Sequence, residues 1–232
     1  MGRQMRKCSP NDLAEVQTAI EQVVQGDAYR LVDAYYNPVP QDYPNARVLF
    51  AGRYFDELPG NDVDAFTVGD LAAASLLDVR FGPHVVVELL ERDRCNSLLA
   101  RIPPAGALWD VSAEHLDRDS HAWQLWIQLV SIPGVSTTRA SKLLARKRPH
   151  LMPILDSVIM RHLSLDGLDG WQALREALTP DFRAQIDELA QPALDHGAAQ
   201  PSTLRLLDVA TWMSYSQSRQ AKAVRNGLPL RD

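Results

Sequence analysis

The run from Ile132 to Arg161, IPGVSTTRASKLLARKRPHLMPILDSVIMR, constrains this chain more than any other. It sets a Pro-Gly turn, a basic amphipathic helix, a proline break and a single aspartate in one ordered series. Ile132-Pro133-Gly134-Val135 ends an apolar helix and leaves Gly134 free to take backbone angles closed to other residues. The next helix opens near Ser136, so its first N–H groups point out of the turn, where an anion such as phosphate binds. Asp156 follows Pro153, where a further helix begins. Any chemistry is expected here.

The chain has 232 residues, enough for one large domain or two small ones with a real core. Its formal net charge of −5 argues against a wholesale polyanion binder. The charge is uneven, however. Between Ser120 and Leu155 there is no acidic residue, while Arg139, Lys142, Arg146, Lys147 and Arg148 all fall there. A local basic patch on an acidic protein binds nucleic acid locally. Two cysteines, Cys8 and Cys95, cannot supply a four-thiolate zinc site or an iron–sulfur cluster, and no disulfide framework is expected. No cofactor and no metal site is expected. No run approaches the roughly 20 apolar residues of a membrane span, and the first residues lack a signal-peptide apolar region. The expected compartment is the cytoplasm.

Local signals predict helices almost throughout. Ser9-Pro10 starts one that carries Val16, Ile20 and Val23 at helical spacing, and a second covers Tyr29 to Tyr36. The segment near 46–56 reads as a short strand or an irregular stretch. Thr67 caps an apolar helix, Pro83 opens another, and Leu98 to Ile102 closes the N-terminal half at Pro103-Pro104. A buried helix bearing Trp123 and Trp126 leads into the hairpin. Further helices are expected near Trp171–Leu178, Pro180–Leu189 and Thr203–Tyr215. The predicted organisation is an N-terminal helical region over 1–103, a second helical region over 104–217 packed on it, and a loose tail over 218–232. The fold class is all-α.

Ile132-Pro133-Gly134-Val135, followed by Ala140 and Leu143-Leu144, resembles the helix-hairpin-helix element of DNA repair glycosylases. Pro153, Asp156 and Arg161 match that superfamily's later positions in type and spacing. The resemblance covers residues 132–161 and implies a helix-hairpin-helix bundle. It also implies that Asp156 supports N-glycosidic cleavage, by activating water or stabilising the developing sugar cation. The departures are specific. Ser136 replaces the second hairpin glycine, and Thr138 stands where bifunctional members carry a lyase lysine. Val158 replaces a frequent histidine, and no cysteine cluster follows. More of the chain resembles an uncharacterised bacterial family with no assigned activity, through Arg53-Tyr54-Phe55, Phe66-Thr67 to Leu77, Leu108-Trp109-Asp110, the ARKRP segment and Asp156-Ser157-Val158.

Helical geometry supports a binding face independently. Arg139, Lys142 and Arg146 recur at i, i+3 and i+7, while Ala140, Leu143 and Leu144 form the opposite stripe. Such a basic face beside hairpin N–H groups supplies sequence-independent phosphate contacts. Its bland alternative is a solvated helix face. Asp156 has two roles to choose from: a helix N-cap, worth about 1 kcal/mol, or the carboxylate beside an oxocarbenium-like transition state. The two are compatible, because a helix N-terminus keeps a carboxylate ionised. One of Tyr54, Trp109 or Trp212 is a candidate to stack on a flipped base. His150 and His162 lack metal-ligand spacing.

The sequence thus predicts a DNA-binding protein that holds duplex DNA without sequence preference through Gly134, Ser136, Thr138, Arg139, Lys142 and Arg146. In its sharper form it is a monofunctional glycosylase-like enzyme with Asp156 as the essential carboxylate. The competing expectation is a non-catalytic helical scaffold or interaction module, which the acidic net charge favours.

Overall fold

A computed structural model describes residues 6–37 and 50–227. The segment 46–49, part of the expected strand or irregular stretch, lies outside the described residues. Among the described residues the chain is helical and has no strand; one isolated parallel bridge joins Arg6 and Leu168. The all-α expectation holds.

The helices begin where local chemistry says they should. In α1 (Pro10–Gln25) Ser9 and Asp12 form a capping box with proline at the first position. Val16, Ala19, Ile20 and Val23 make its buried stripe. After α2 (Ala28–Tyr36), a 3₁₀ turn over Ala51–Tyr54 leads into a loop that reaches α3 (Val68–Ser75). Thr67 and Asp70 form a second capping box there. Then come α4 (Pro83–Leu90) and α5 (Arg94–Leu99). The C-terminal half holds α6 (His121–Ser131), α7 (Thr137–Lys147), α8 (Ser157–His162), α9 (Gly170–Ala177) and α10 (Pro180–Asp187).

Three features depart from the expected course. Residues 51–54 wind as a 3₁₀ turn, and Phe55 just beyond it is fully buried. A short α11 (Ala190–Asp195) follows α10, where no helix was expected. Part of the expected loose tail is also ordered. Residues Arg219–Arg225 form α13, capped by Ser218 and anchored by the buried Ala221. Arg225 holds it by donating to the carbonyls of Met213 and Ser216.

At the centre runs α12 (Thr203–Tyr215), buried on almost every side and carrying Arg205 and Asp208 among its apolar residues. It packs on α1, α2, α8, α10 and α13, and α1 packs on α9 and α10 as well. One hydrophobic cluster therefore runs through both halves of the chain. A smaller cluster of Phe55, Ala73, Ala145 and Ile154 joins the 3₁₀ segment to α3 and α7.

Candidate functional site

The hairpin forms between α6 and α7 as the Pro-Gly turn predicts. Gly134 takes φ +97°, a region closed to most L side chains, and a Cβ placed there would meet Val85 at 3.3 Å. Ser136 caps α7 by accepting from the Arg139 N–H. Pro133, Gly134, Ser136 and Thr137 are exposed, and Thr138 and Arg139 are half-buried. Arg139 donates to the Gly134 carbonyl at 3.1 Å and so braces the turn.

The rest of the basic helix does something else. Lys142, Arg146, Lys147 and Arg148 are at most 7% exposed. Lys142 donates to the Leu77 carbonyl at 2.7 Å. Arg146 donates to the carbonyls of Phe55 and Leu58. Lys147 binds the Asn61 side chain, the Asp62 carbonyl and the fully buried Asp70. Arg148 takes the carbonyls of Leu99, Ile102 and Val63. The expected solvent face of Lys142 and Arg146 is thus an interior one. The loop between Phe55 and Asp64 has few backbone partners of its own, and buried carbonyls must find donors. The cations supply them, and burial lowers the pKa of all four side chains. Of the six residues expected to contact DNA, Gly134 and Ser136 remain exposed, Thr138 and Arg139 partly so, and Lys142 and Arg146 are committed inside.

Asp156 caps α8. Its Oδ1 accepts from the N–H groups of Val158 at 2.9 Å and Ile159 at 3.0 Å. Its Oδ2 lies 3.9 Å from Lys142 Nζ, an ion pair beyond hydrogen-bonding reach. Both residues line a cavity of about 190 Å³. That is below the usual range for drug-sized ligands and suits a single ring system. The cavity lies about 8 Å down α7 from the hairpin, since Lys142 is five residues past Thr137.

The opposite walls come from distant segments. Tyr35 of α2 stacks on Phe50 with centroids 5.4 Å apart, and Phe50 meets Trp212 of α12 edge-on at 6.1 Å. Trp212 alone of the three aromatic candidates lines the cavity, and it is half-buried. A Cβ on Gly52 would overlap the Tyr35 hydroxyl, so glycine is what lets these walls approach. Below them lies a polar floor. Arg205 donates to Asp208, to Asp56 at 3.0 Å, and to Tyr35 Oη and the Gly52 carbonyl at 2.8 Å each. Burial pushes the Tyr35 hydroxyl up to about 12, so it stays protonated. Burial also raises Asp208, to about 6, against the pull of Arg205 and with the added push of Asp156.

Sequence reasoning missed Tyr35, Phe50, Arg205 and Asp208. Arg205 and Asp208 carried a readable signal, an opposite-charge i, i+3 pair inside an otherwise apolar helix. The aromatic pair carried none. Other chemistry is thin. His162 stacks on Tyr215 with centroids 4.1 Å apart, and His150 is exposed. Both cysteines are free, and burial pushes the Cys95 thiol up to about 11, away from thiolate chemistry at neutral pH. Among the described residues no group of three or more His, Cys, Asp or Glu could hold a metal ion, and no helix is long and apolar enough to cross a membrane.

Compared with known families, residues 28–215 match one described as a family of unknown function, DUF6308, and the chain belongs to that family. Compared with the curated proteins and with the solved structures, the chain matches none.

Proposed function

We propose that this is a helix-hairpin-helix DNA-binding protein that removes a damaged or modified base by hydrolysing its N-glycosidic bond. The observation that carries the reading is the divided duty of Asp156. One oxygen is fixed by two backbone N–H groups, while the residue lines a ring-sized, aromatic-walled cavity beside Lys142. A carboxylate placed beside the sugar is what an oxocarbenium-like transition state requires. The hairpin, exposed at Gly134 and Ser136 and half-buried at Thr138 and Arg139, contacts phosphate and sets the register, and the flipped base enters the cavity against Trp212. Because Lys142 and Arg146 are inside, few phosphates are neutralised. Binding is then weak and its salt dependence shallow. Thr138 in place of the lyase lysine, and a Lys142 amine already bonded to the Leu77 carbonyl, make the enzyme monofunctional.

The test is a panel of duplexes with alkylated, oxidised and deaminated bases, scored for abasic sites after alkali. Wild type should release at least one base. Asp156→Asn should bind DNA and melt like wild type, because asparagine caps helices as well as aspartate does, yet release none. Borohydride should trap no covalent adduct. The burial of Lys142 and Arg146 and the net charge of −5 favour a second reading, a non-catalytic helical module. No base release by wild type, or full activity in Asp156→Asn, would leave that reading standing.

A further inference from the structure

Carboxylates outnumber cations in and beside the cavity. Asp156 and Asp208 line it with Lys142 and Arg205, Asp56 meets Arg205 from outside it, so that three carboxylates face two cations, and the exposed Asp78 adds a further negative charge to the lining. Tyr35 stays neutral and accepts from Arg205, and Tyr36 beside it is likewise held protonated. A buried excess carboxylate is relieved by taking up a proton. The three are not equal candidates. Asp156 already accepts from two backbone N–H groups at the start of α8. Asp56 receives Arg205 Nε and is partly solvated, its side chain 28% exposed. Asp208 sits mid-helix in α12, where backbone N–H groups belong to the helix ladder, and it shares Arg205 with Asp56.

The geometry points to Asp208 as the proton donor of this site, protonating the departing base while Asp156 stays ionised, and so to a nucleotide bearing an uncharged base as substrate. The inference rests on the base-excision reading above. In the step, the bond from C1′ to the base nitrogen breaks and its electron pair passes to the base. Asp208 gives its proton to a ring nitrogen of that base. Water adds to C1′ and its proton passes to Asp156. The two carboxyls then re-equilibrate with solvent, Asp156 losing a proton and Asp208 regaining one. A base that is already cationic leaves without a proton and has no use for Asp208. An uncharged base departs as a high-energy anion unless it is protonated. Two carboxyls in one cavity, one fixed by backbone N–H groups and one buried beside an arginine, divide acid and base roles between them.

Two measurements test this. The first needs no activity: aspartate carboxyls of isotope-labelled protein are titrated by NMR. One carboxyl should titrate near 6, vanish in Asp208→Asn, and move down in Asp156→Asn as a neighbouring charge is removed. If every carboxyl titrates in the ordinary range, the proposal is overturned whether or not any base is released. The second compares duplexes bearing uncharged lesions (hypoxanthine, uracil, 8-oxoguanine) with one bearing cationic N7-methylguanine. Asp208→Asn should slow release of an uncharged base by about 10²–10⁴-fold, and wild-type release should fall as pH rises above 6. Asp156→Asn should abolish release of both kinds. Undiminished release of uncharged bases by Asp208→Asn removes the acid role, and a wild-type preference for N7-methylguanine removes the substrate class. If Asp208 titrates as expected but wild type releases nothing, the excision reading fails and takes the acid role with it.

Discussion

Arg148→Met tests whether the basic end of α7 is structural. The Arg148 side chain is 1% exposed and bonds the Ile102 carbonyl through Nε at 3.0 Å and Nη2 at 2.8 Å. It also bonds the Leu99 carbonyl at 2.8 Å and the Val63 carbonyl at 2.6 Å. The losses are unequal. The Leu99 carbonyl keeps the Ile102 N–H at 3.0 Å, and Val63, half-exposed, can turn its carbonyl toward water. Ile102 is buried, so its carbonyl loses its donor with no access to solvent. A buried carbonyl left without a donor costs about 1–3 kcal/mol. Releasing the Val63 end of the loop adds roughly another hydrogen bond, about 1 kcal/mol. The ion pair with Asp64, itself 53% exposed, contributes little. Methionine fills most of the vacated length, and removing a desolvated guanidinium offsets part of the loss. The expected net destabilisation is about 2 kcal/mol. At about 2–4 °C per kcal/mol for a chain of this size, the melting temperature should fall by about 4–8 °C. Urea unfolding gives the free energy and thermal melting the midpoint, with the exposed Arg101→Met as control, expected within about 0.5 kcal/mol of wild type. An Arg148→Met protein no less stable than that control would refute the interior role of this segment.

Two further outcomes follow from the same geometry. Gly134→Val forces a β-branched side chain into φ +97° and against Val85, and should cost about 1–3 kcal/mol; wild-type melting together with wild-type DNA binding would mean that the turn is not built this way. Asp208 is the source of a pH effect. Its folded pKa lies above the ordinary carboxyl value, so its stabilising contribution is complete below about 3.9 and is lost as pH rises through about 6. The stability difference between wild type and Asp208→Asn should therefore shift against wild type across that window, and a difference independent of pH would contradict it.

The sequence by itself determined what is local. Ser9, Thr67, Ser120, Ser136, Asp156 and Ser202 each start a helix through a side-chain bond to a nearby N–H, within three residues, so no tertiary knowledge was needed. The Pro-Gly turn is local too, and Gly134 behaves as its neighbours imply. Periodicity also placed Lys142 and Arg146 on one face of α7, but periodicity says which residues share a face and not what covers it. Lys142 is covered at the Leu77 carbonyl, and the cover over Arg146 is the loop between Phe55 and Asp64, some 85 residues earlier in the chain, whose carbonyls accept from Arg146, Lys147 and Arg148. A run of cations on an amphipathic helix reads as solvent-facing because burying charge is costly. Only the fold reveals that a loop rich in unpartnered carbonyls, with Asp70 beneath it, offsets that cost. The cavity was beyond local reasoning for the same reason. Asp156 was legible from its spacing to the hairpin, while Tyr35, Phe50, Arg205 and Asp208 meet it only because α2 and α8 both pack on α12.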